Sequence, residues 1–340
     1  MKKIEIYLLL IIGLSIMLSC VEETEIGNDI VDFTSSYNKV PVILSQFSND
    51  SILFVEVRTT EPAFNRNDSS PNTKIENPTI KNLANGASQI LKQNPHNADV
   101  YYTNIELAQG TAYEIEIDFP EFSEPHISAI DTIPIISKIQ SATFTKKAKK
   151  VDNDLLTLVQ LEVHPFSISK EMNYEIMVIT TITDTTDEMG FPIDTTMIKP
   201  TTAYLYSDNP IITKEDYYPS ILQFDAFPPT NLYFKNENSS ETFLIDFYYT
   251  PPMSSSTNMS SGETTTHIYS HSASIFMKTV SSNYYKYHVS RLKQFYSRKG
   301  DPFYGVGEPV NVYSNIQNGT GIFASYTCDS INYNYQSERK

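Results

Sequence analysis

Cysteine, glycine and long apolar runs are all scarce in this sequence. It has two cysteines, Cys20 and Cys328, and 11 glycines in 340 residues. Few glycines leave few loops that can cradle phosphate, and there is no P-loop, no G-x-G-x-x-G after a predicted strand and no G-x-S-x-G. Cys328 lies in no motif that marks a nucleophile. The sequence therefore disfavours nucleotide binding and hydrolysis, and it predicts no catalytic residue and no cofactor.

Basic residues are fewer than acidic ones. Lys and Arg number 25 against 40 Asp and Glu, which gives a net charge of -15. A chain with this charge is repelled by phosphate backbones and by anionic lipid surfaces. Nucleic acid is therefore not expected as a partner.

The main apolar run lies at the start of the chain. It extends from Tyr7 to Leu18, follows Lys2 and Lys3, and is closed by Cys20. A bilayer core of about 30 Å needs about 20 apolar residues to cross it. The run is too short for that and is typical of a signal peptide.

The tripeptide Met-Leu-Ser before Cys20 resembles the lipobox of bacterial lipoproteins, in which the cysteine thiol is lipidated and the peptide is cut before it. We therefore predict a lipoprotein-type signal peptide at 1–19, lipidation of Cys20 and an acidic leader at 20–36. Two alternatives stay open, namely a plain secretory peptide with an incidental Cys20 and an N-terminal anchor that is never cut. Lipidation would leave Cys328 without a disulfide partner, and we predict that it is a small buried hydrophobic residue.

Acidic residues follow the cysteine at once. Glu22, Glu23 and Glu25 resemble the signal by which some gram-negative bacteria export lipoproteins to the outer face of the outer membrane. A merely solvated leader is the alternative. The prediction is a lipid-anchored outer-membrane protein that faces the cell surface, with the membrane itself as its first partner.

Alternation with a period of two dominates the rest of the chain. In AYEIEIDF (112–119), apolar Tyr, Ile, Ile and Phe alternate with Glu, Glu and Asp, as a half-buried strand requires. Similar strands are predicted at 39–47, 51–60, 100–108, 155–166, 173–184, 202–207, 242–249 and 273–280. Short strands of this composition, separated by Asn, Asp, Ser and Pro, are typical of β-sandwiches. The polar, Asn- and Pro-rich stretch 61–82 is predicted to be an exposed loop.

One segment has helical spacing. In 281–300 the apolar residues Tyr285, Val289, Leu292 and Tyr296 recur at helical intervals, after Ser and Asn residues suited to an N-cap. We predict a single amphipathic helix at 282–298. The change of pattern near 128–144 predicts two domains, an N-terminal β unit at 37–134 and a larger C-terminal β domain at 135–336 that contains the helix.

Metal ligands are sparse. His267 and His271 are four residues apart on one face of a predicted strand, and surface histidines are the favoured interpretation. The acidic stretch 184–196 offers Asp184, Asp187 and Asp194 as oxygen donors for calcium, but it lacks the spacing of an EF-hand. A solvated hairpin tip is the better interpretation, so no metal site is predicted.

A short motif recurs in which Asp is followed by Ser or Thr and then by an aliphatic residue or Thr. It resembles an O-glycosylation acceptor of exported bacterial proteins, and chance matches are expected in a chain so rich in Ser and Thr. The candidate acceptors are Ser51, Thr132, Thr185, Thr195 and Ser330.

The most specific stretch lies near the C-terminus. In EPVNVYSNIQNGTGIFASY (308–326), Asn315, Asn318, Gly319 and Gly321 mark a tight turn, and the structural interpretation is a hairpin whose turn needs positive φ. This stretch, with YYKYHVSRLKQF (284–295) upstream, closely resembles the C-terminal signature of the domain of unknown function 4249 family. The lipobox, TAYEIEIDF (111–119) and AIDTIP (129–134) occur in the order that the family shows.

The resemblance implies an immunoglobulin-like N-terminal β-sandwich followed by a larger C-terminal β-sandwich domain, in an outer-membrane lipoprotein. It implies no catalytic residues. The implied function is an accessory binding protein beside a TonB-dependent transporter, with a structural or adhesive envelope protein as the alternative and a hydrolase as the least favoured. Exposed tyrosines would suit a glycan or peptide ligand.

Overall fold

The computed structural model describes residues 38–60, 74–151, 154–166, 172–186, 195–197, 200–213, 228–237, 241–251, 267–298 and 311–339. By its internal contacts the chain divides into one unit of residues 1–39 and 60–69 and another of residues 40–59 and 70–340. Every described strand and helix lies in the second unit. Strands dominate it, which confirms the all-β prediction.

The strands of the first part of the chain are β1 (Pro41–Ser48), β2 (Leu53–Thr59), β3 (Glu76–Asn82), β4 (Ser88–Ile90), β5 (Lys92–Asn94), β6 (Asn97–Thr103), β7 (Ala112–Asp118) and β8 (His126–Thr132). Those that follow are β9 (Lys138–Val151), β10 (Asp154–His164), β11 (Met172–Thr186), β12 (Thr195–Met197), β13 (Thr201–Thr202), β14 (Leu205–Tyr206), β15 (Asn231–Asn236), β16 (Phe243–Tyr249), β17 (His267–Val280) and β18 (Thr320–Arg339). The helices are α1 (Pro210–Thr213) and α2 (Ser282–Arg298).

The strands form three sheets. The largest has ten strands in the order β12-β11-β17-β18-β1-β2-β6-β5, with β13 and β15 also paired to β11. The other two have four strands each, in the orders β4-β3-β7-β8 and β14-β16-β10-β9. All ladders of the large sheet are antiparallel except β1 with β18.

The first sandwich packs the sheet β4-β3-β7-β8 against the β18-β1-β2-β6 part of the large sheet. Its core follows the predicted alternation, because Tyr113, Ile115 and Ile117 of β7 are fully buried between partly exposed acidic neighbours. Across from them lie Ile43 and Phe47 of β1, in the same hydrophobic cluster. Burial of each such side chain stabilises the fold by about 1.5–3 kcal/mol.

The second sandwich packs the sheet β14-β16-β10-β9 against the β11-β17 part of the large sheet. Its core contains Val159 and Leu161 of β10, Ile176 of β11 and Ile275 of β17, all fully buried. The residues of β9 are mostly exposed, because β9 is the edge strand of its sheet.

Strand β18 connects the two sandwiches. Its first part, Thr320 to Tyr326, pairs in parallel with β1, and from Tyr326 onward it pairs antiparallel with β17. Phe323 lies in the core of the first sandwich, whereas Ile331 packs on the core of the second. One continuous strand is therefore part of both sandwiches, and the division at 134/135 remains a prediction.

Helix α2 covers the outer face of the large sheet, at the bounds predicted from the sequence. Ser281 is its N-cap, since its Oγ accepts a hydrogen bond from the Tyr284 amide at 3.2 Å. Tyr285 and Val289 are buried against Ile322 and Ala324 of β18. No helix of the described residues has the length and apolar content to cross a membrane.

Three local expectations were wrong. Residues 76–82 form strand β3 and not a loop, because Ile80 is buried in the first core although its neighbours are polar. The stretch 311–316 forms no strand, so the expected hairpin is instead a turn that leads into β18. Cys328 is half-buried and not buried, and it is a free thiol.

Gly321 tests the contact between β1 and β18, because it lies opposite Ile43 and has φ +110°. A Cβ there would lie 2.1 Å from the Ile43 carbonyl oxygen. Gly321→Ala should lower the free energy of unfolding by about 3 kcal/mol or more in urea denaturation. Gly86→Ala is the control, because φ is +73° but no atom lies within 4 Å, and it should cost only about 1–2 kcal/mol. Equal losses would contradict the close approach of β1 and β18.

Candidate functional site: the polar junction beneath helix α2

Several predicted residues fall outside the described part of the chain. They include Cys20, the acidic residues Glu22, Glu23 and Glu25, and the weak metal candidates Asp187 and Asp194. Lipidation at Cys20 and the solvated hairpin tip at 184–196 therefore remain predictions. Asp184 and Thr185 are placed in β11 and Thr195 in β12, with Asp184 opposite Thr196. Among the described residues no three His, Cys, Asp or Glu side chains are grouped to hold a metal ion.

His271 is not the surface histidine that the sequence suggested. The residue is 8% exposed, and its ring stacks on Tyr335 with centroids 4.6 Å apart. Burial and then the nearby charge of Lys146 lower its pKa. This histidine is therefore part of the packing between the sheets of the second sandwich.

The candidate acceptors that can be described are on the surface. Ser51 lies in the turn after β1, Thr132 ends β8 and Ser330 lies in β18, and all three are exposed. The Ser51 hydroxyl also donates to the Ser48 carbonyl at 3.4 Å. Glycosylation at these positions remains a prediction.

The signature turn lies where β8 and β18 meet. Asn315 donates from Nδ2 to the carbonyl of Phe323 at 2.8 Å and accepts at Oδ1 from the Phe323 amide at 3.0 Å. Asn318, at φ +59°, donates to the carbonyl of His126 at 3.0 Å. Positive φ is confirmed for Asn318 and Gly321, whereas Gly319 does not have it.

The same junction contains a buried carboxylate, Asp131, from the AIDTIP segment. Its Oδ2 accepts from the amide and the hydroxyl of Ser325, both at 2.6 Å. Its Oδ1 accepts from Nδ2 of Asn283 in α2 at 2.8 Å, and Asn283 in turn accepts from the Tyr313 hydroxyl at 2.7 Å. Burial raises the pKa of Asp131 to about 6, although the hydrogen bonds from Ser325 and Asn283 act to lower it.

A second buried carboxylate lies under the first turn of α2. Glu175 of β11 accepts from Lys278 at 2.7 Å, from the Tyr284 hydroxyl at 2.8 Å and from the Tyr233 hydroxyl at 2.9 Å. Asn231 also donates to it. Burial would raise the pKa of Glu175, but Lys278 and Tyr284 hold it below its usual value. We call Glu175, Lys278, Tyr233, Tyr284 and Asn231 the Glu175 cluster.

Aromatic rings enclose the Glu175 cluster. The His288 ring lies against Tyr284 and Tyr233, with centroids 4.3 and 5.5 Å apart. Burial lowers the pKa of His288 to about 4, so it is neutral at neutral pH. Lys278 lies 4.8 Å from the centre of the Tyr326 ring. The ammonium is therefore held by a carboxylate and an aromatic face together.

These contacts determine what the junction can do chemically. Both oxygens of each carboxylate accept hydrogen bonds from protein donors, so neither is poised to take a proton from a substrate. The arrangement suits a structural role. The Glu175 cluster holds α2 to the sheet, and Asp131 holds β18 to β8. The sequence analysis included Asp131 in AIDTIP and in the acceptor motif at Thr132, but it predicted no buried contact for it. It missed the Glu175 cluster, because Glu175 occupies the outward position of an alternating strand.

The sequence of the chain matches a known protein family over most of its length. A family model described as "Domain of unknown function (DUF4249)" matches residues 29–332. The match includes strands of both sandwiches, α2 and the signature turn, and it ends within β18 at Asn332. No curated protein matches the chain.

The Glu175 cluster predicts a large loss of stability on removal of its cation. Lys278→Met leaves a buried, uncompensated carboxylate and should lower the free energy of unfolding by about 3–5 kcal/mol. Adding Glu175→Gln should recover part of this loss, because the charge is then gone. Lys81→Met, which removes a partly exposed partner of Glu114, should cost less than about 1 kcal/mol. If Lys278→Met lowers the free energy of unfolding in urea denaturation no more than Lys81→Met does, the Glu175 cluster does not stabilise the fold as proposed.

Proposed function

The chain belongs to the DUF4249 family, and for this member we propose the role of a surface-exposed outer-membrane lipoprotein that acts as an accessory binding protein beside a TonB-dependent transporter. The main support is the N-terminal sequence, in which the apolar run is closed by Cys20 and is followed by Glu22, Glu23 and Glu25. The family resemblance of the sequence supports the transporter as the partner.

Lipid attachment at Cys20 explains how a chain of net charge -15 stays at a membrane. Each buried methylene of an acyl chain contributes about 0.8 kcal/mol, so two or three chains hold firmly where one alone is marginal. The chain between Cys20 and Pro41 could extend to at most about 70 Å. The folded part can therefore reach a neighbouring membrane protein while it remains anchored.

The buried carboxylates support a binding role over a hydrolase. Asp131 and Glu175 accept hydrogen bonds from backbone, serine, asparagine, tyrosine and lysine donors of the protein itself. Such groups stabilise a rigid scaffold. A scaffold of packed sheets holds side chains on its open faces in fixed positions for a ligand.

A cross-strand aromatic pair offers a contact surface for a glycan or peptide. Phe54 of β2 lies opposite Tyr102 of β6, with ring centroids 6.3 Å apart, on the outer face of the large sheet. Phe54 is 48% exposed and Tyr102 is half-buried. Aromatic rings combine apolar area with, in tyrosine, a hydrogen-bonding tip, which suits a sugar ring or a peptide side chain.

The experiment labels the native organism with an alkyne analogue of palmitate and purifies a C-terminally tagged chain from solubilised outer membranes. The wild type should be labelled and should recover a TonB-dependent transporter, whereas Cys20→Ser should be unlabelled and should be released from the membrane fraction by a high-salt wash that leaves the wild type in place. Phe54→Ala with Tyr102→Ala serves as a variant that keeps the anchor but alters the contact surface.

Each result bears on a separate part of the proposal. An unlabelled wild type contradicts the lipid anchor. A labelled wild type that recovers no transporter contradicts the accessory role, and it favours a structural or adhesive envelope protein, which predicts a defect in surface integrity or attachment when the chain is deleted.

A further inference from the structure

We propose that one end of the second sandwich docks on the phosphate headgroups of an anionic lipid bilayer. We call it the lysine end, and it combines basic residues of β9 with two exposed apolar side chains: Lys146, Lys147, Lys149, Lys150, Leu155 and Tyr204. The inference goes beyond the proposed function, because it concerns a second contact with the membrane that needs no acyl chain.

Strand pairing brings these residues to one end of the sheet β14-β16-β10-β9. Lys150 lies opposite Leu155, and Lys149 lies opposite Leu156. On the far side of β10, the Tyr204 carbonyl accepts from the Thr250 amide at 3.0 Å, one residue beyond the end of β16. Lysine, leucine and tyrosine therefore occupy the same end of one sheet.

Two of the lysines are free to meet a ligand. Lys147 and Lys150 are exposed and form no ion pair within the described part of the chain. Lys147 has φ +54° and lies in the bulge where the β9–β10 register shifts, and bulges re-aim side chains away from the regular pleat. Lys149 is paired with Asp208 at 2.7 Å. The Lys146 ammonium lies 4.1 Å from the centre of the Tyr335 ring.

The sign of the local charge is opposite to that of the whole chain. The four lysines outnumber the three acidic residues next to them, which are Asp152 and Asp154 in the sequence and Asp208 in contact with Lys149, in a chain of net charge -15. At physiological ionic strength the Debye length is about 8 Å, so acidic residues farther away are largely screened at contact. The lysines therefore determine the attraction of this end to an anionic surface.

The exposed apolar residues favour a bilayer over a soluble polyanion. Leu155 and Tyr204 are each 43% exposed; Leu155 lies opposite Lys150, and Tyr204 lies farther across the same end of the sheet, beyond β16. At a membrane surface, lysine reaches the headgroups, leucine enters the acyl boundary and tyrosine lies at the interface. Lysines on an edge strand also block unwanted strand pairing, but that role does not account for Leu155 and Tyr204.

The lysine end is within reach of the membrane for an anchored chain. Lys146 contacts Tyr335 of β18, whereas the chain enters β1 beside Thr320, where Val42 pairs with it. These positions are 15 residues apart along one strand, about 50 Å at about 3.3 Å per residue. If Cys20 is lipidated, as proposed above, a tether of up to about 70 Å is long enough for the lysine end to reach the same membrane.

The test uses the full mature chain with Cys20→Ser, which removes the acyl chains, and flotation with vesicles. Wild type should float with phosphatidylcholine vesicles that contain phosphatidylglycerol and not with phosphatidylcholine alone, and added salt should weaken binding. Lys147→Glu with Lys150→Glu should lower the partition coefficient about 30-fold or more. Lys39→Glu with Lys92→Glu is the control, because it makes the same change in net charge elsewhere and should have little effect.

Vesicle binding by the variants can also contradict the proposed docking surface. If both double variants lose binding equally, or if wild type does not float with anionic vesicles, the lysine end is not a docking surface. Leu155→Ser should weaken binding about tenfold. Loss of binding on lysine reversal with no effect of Leu155→Ser would show that the lysines alone bind the headgroups, and it would contradict the role of Leu155 at the acyl boundary. Unchanged unfolding midpoints show that the variants are folded.

Discussion

The carboxylate of Asp131 is the contact on which the arrangement of the chain depends. It joins the end of β8, the start of α2 and the first part of β18 through hydrogen bonds from Asn283 and from the amide and hydroxyl of Ser325. Hydrogen bonds to a charged group contribute about 1.5–3 kcal/mol each. Ser325 lies at the point where β18 changes from its partner β1 to its partner β17. Asp131 therefore holds the strand that both sandwiches share.

Burial gives this contact a pH dependence. The pKa of Asp131 rises from its ordinary value of 3.8 to about 6 on folding. Because the folded state binds the proton more tightly, the stability that Asp131 contributes is largest below about pH 4 and declines as the pH rises through about 6. The protonated form also has hydrogen-bond partners, since Ser325 Oγ can accept a hydrogen bond from the protonated carboxyl and donate one to the Thr132 carbonyl at 2.9 Å. The pKa of Glu175 is lowered, so its contribution changes in the opposite direction and is lost in acid.

Local patterns in the sequence predicted local structure well. The spacing of Tyr285, Val289 and Leu292 and the N-cap at Ser281 defined α2, and alternation defined β7. What failed depended on distant contacts. The parallel pairing of β1 with β18 joins segments far apart in sequence, and no local signal encodes it. Glu175 looked solvent-facing because an alternating strand does not reveal that a helix covers its other face.

Because β18 belongs to both sandwiches, we expect the two to unfold as one cooperative unit. Hydrogen exchange in increasing urea, followed in β7 of the first sandwich and β10 of the second, measures this cooperativity. Both strands should lose protection at the same urea concentration in the wild type, and Asp131→Ala should lower both midpoints together. Persistent protection of β10 after β7 has exchanged would show two independent units, and β18 would then not couple them.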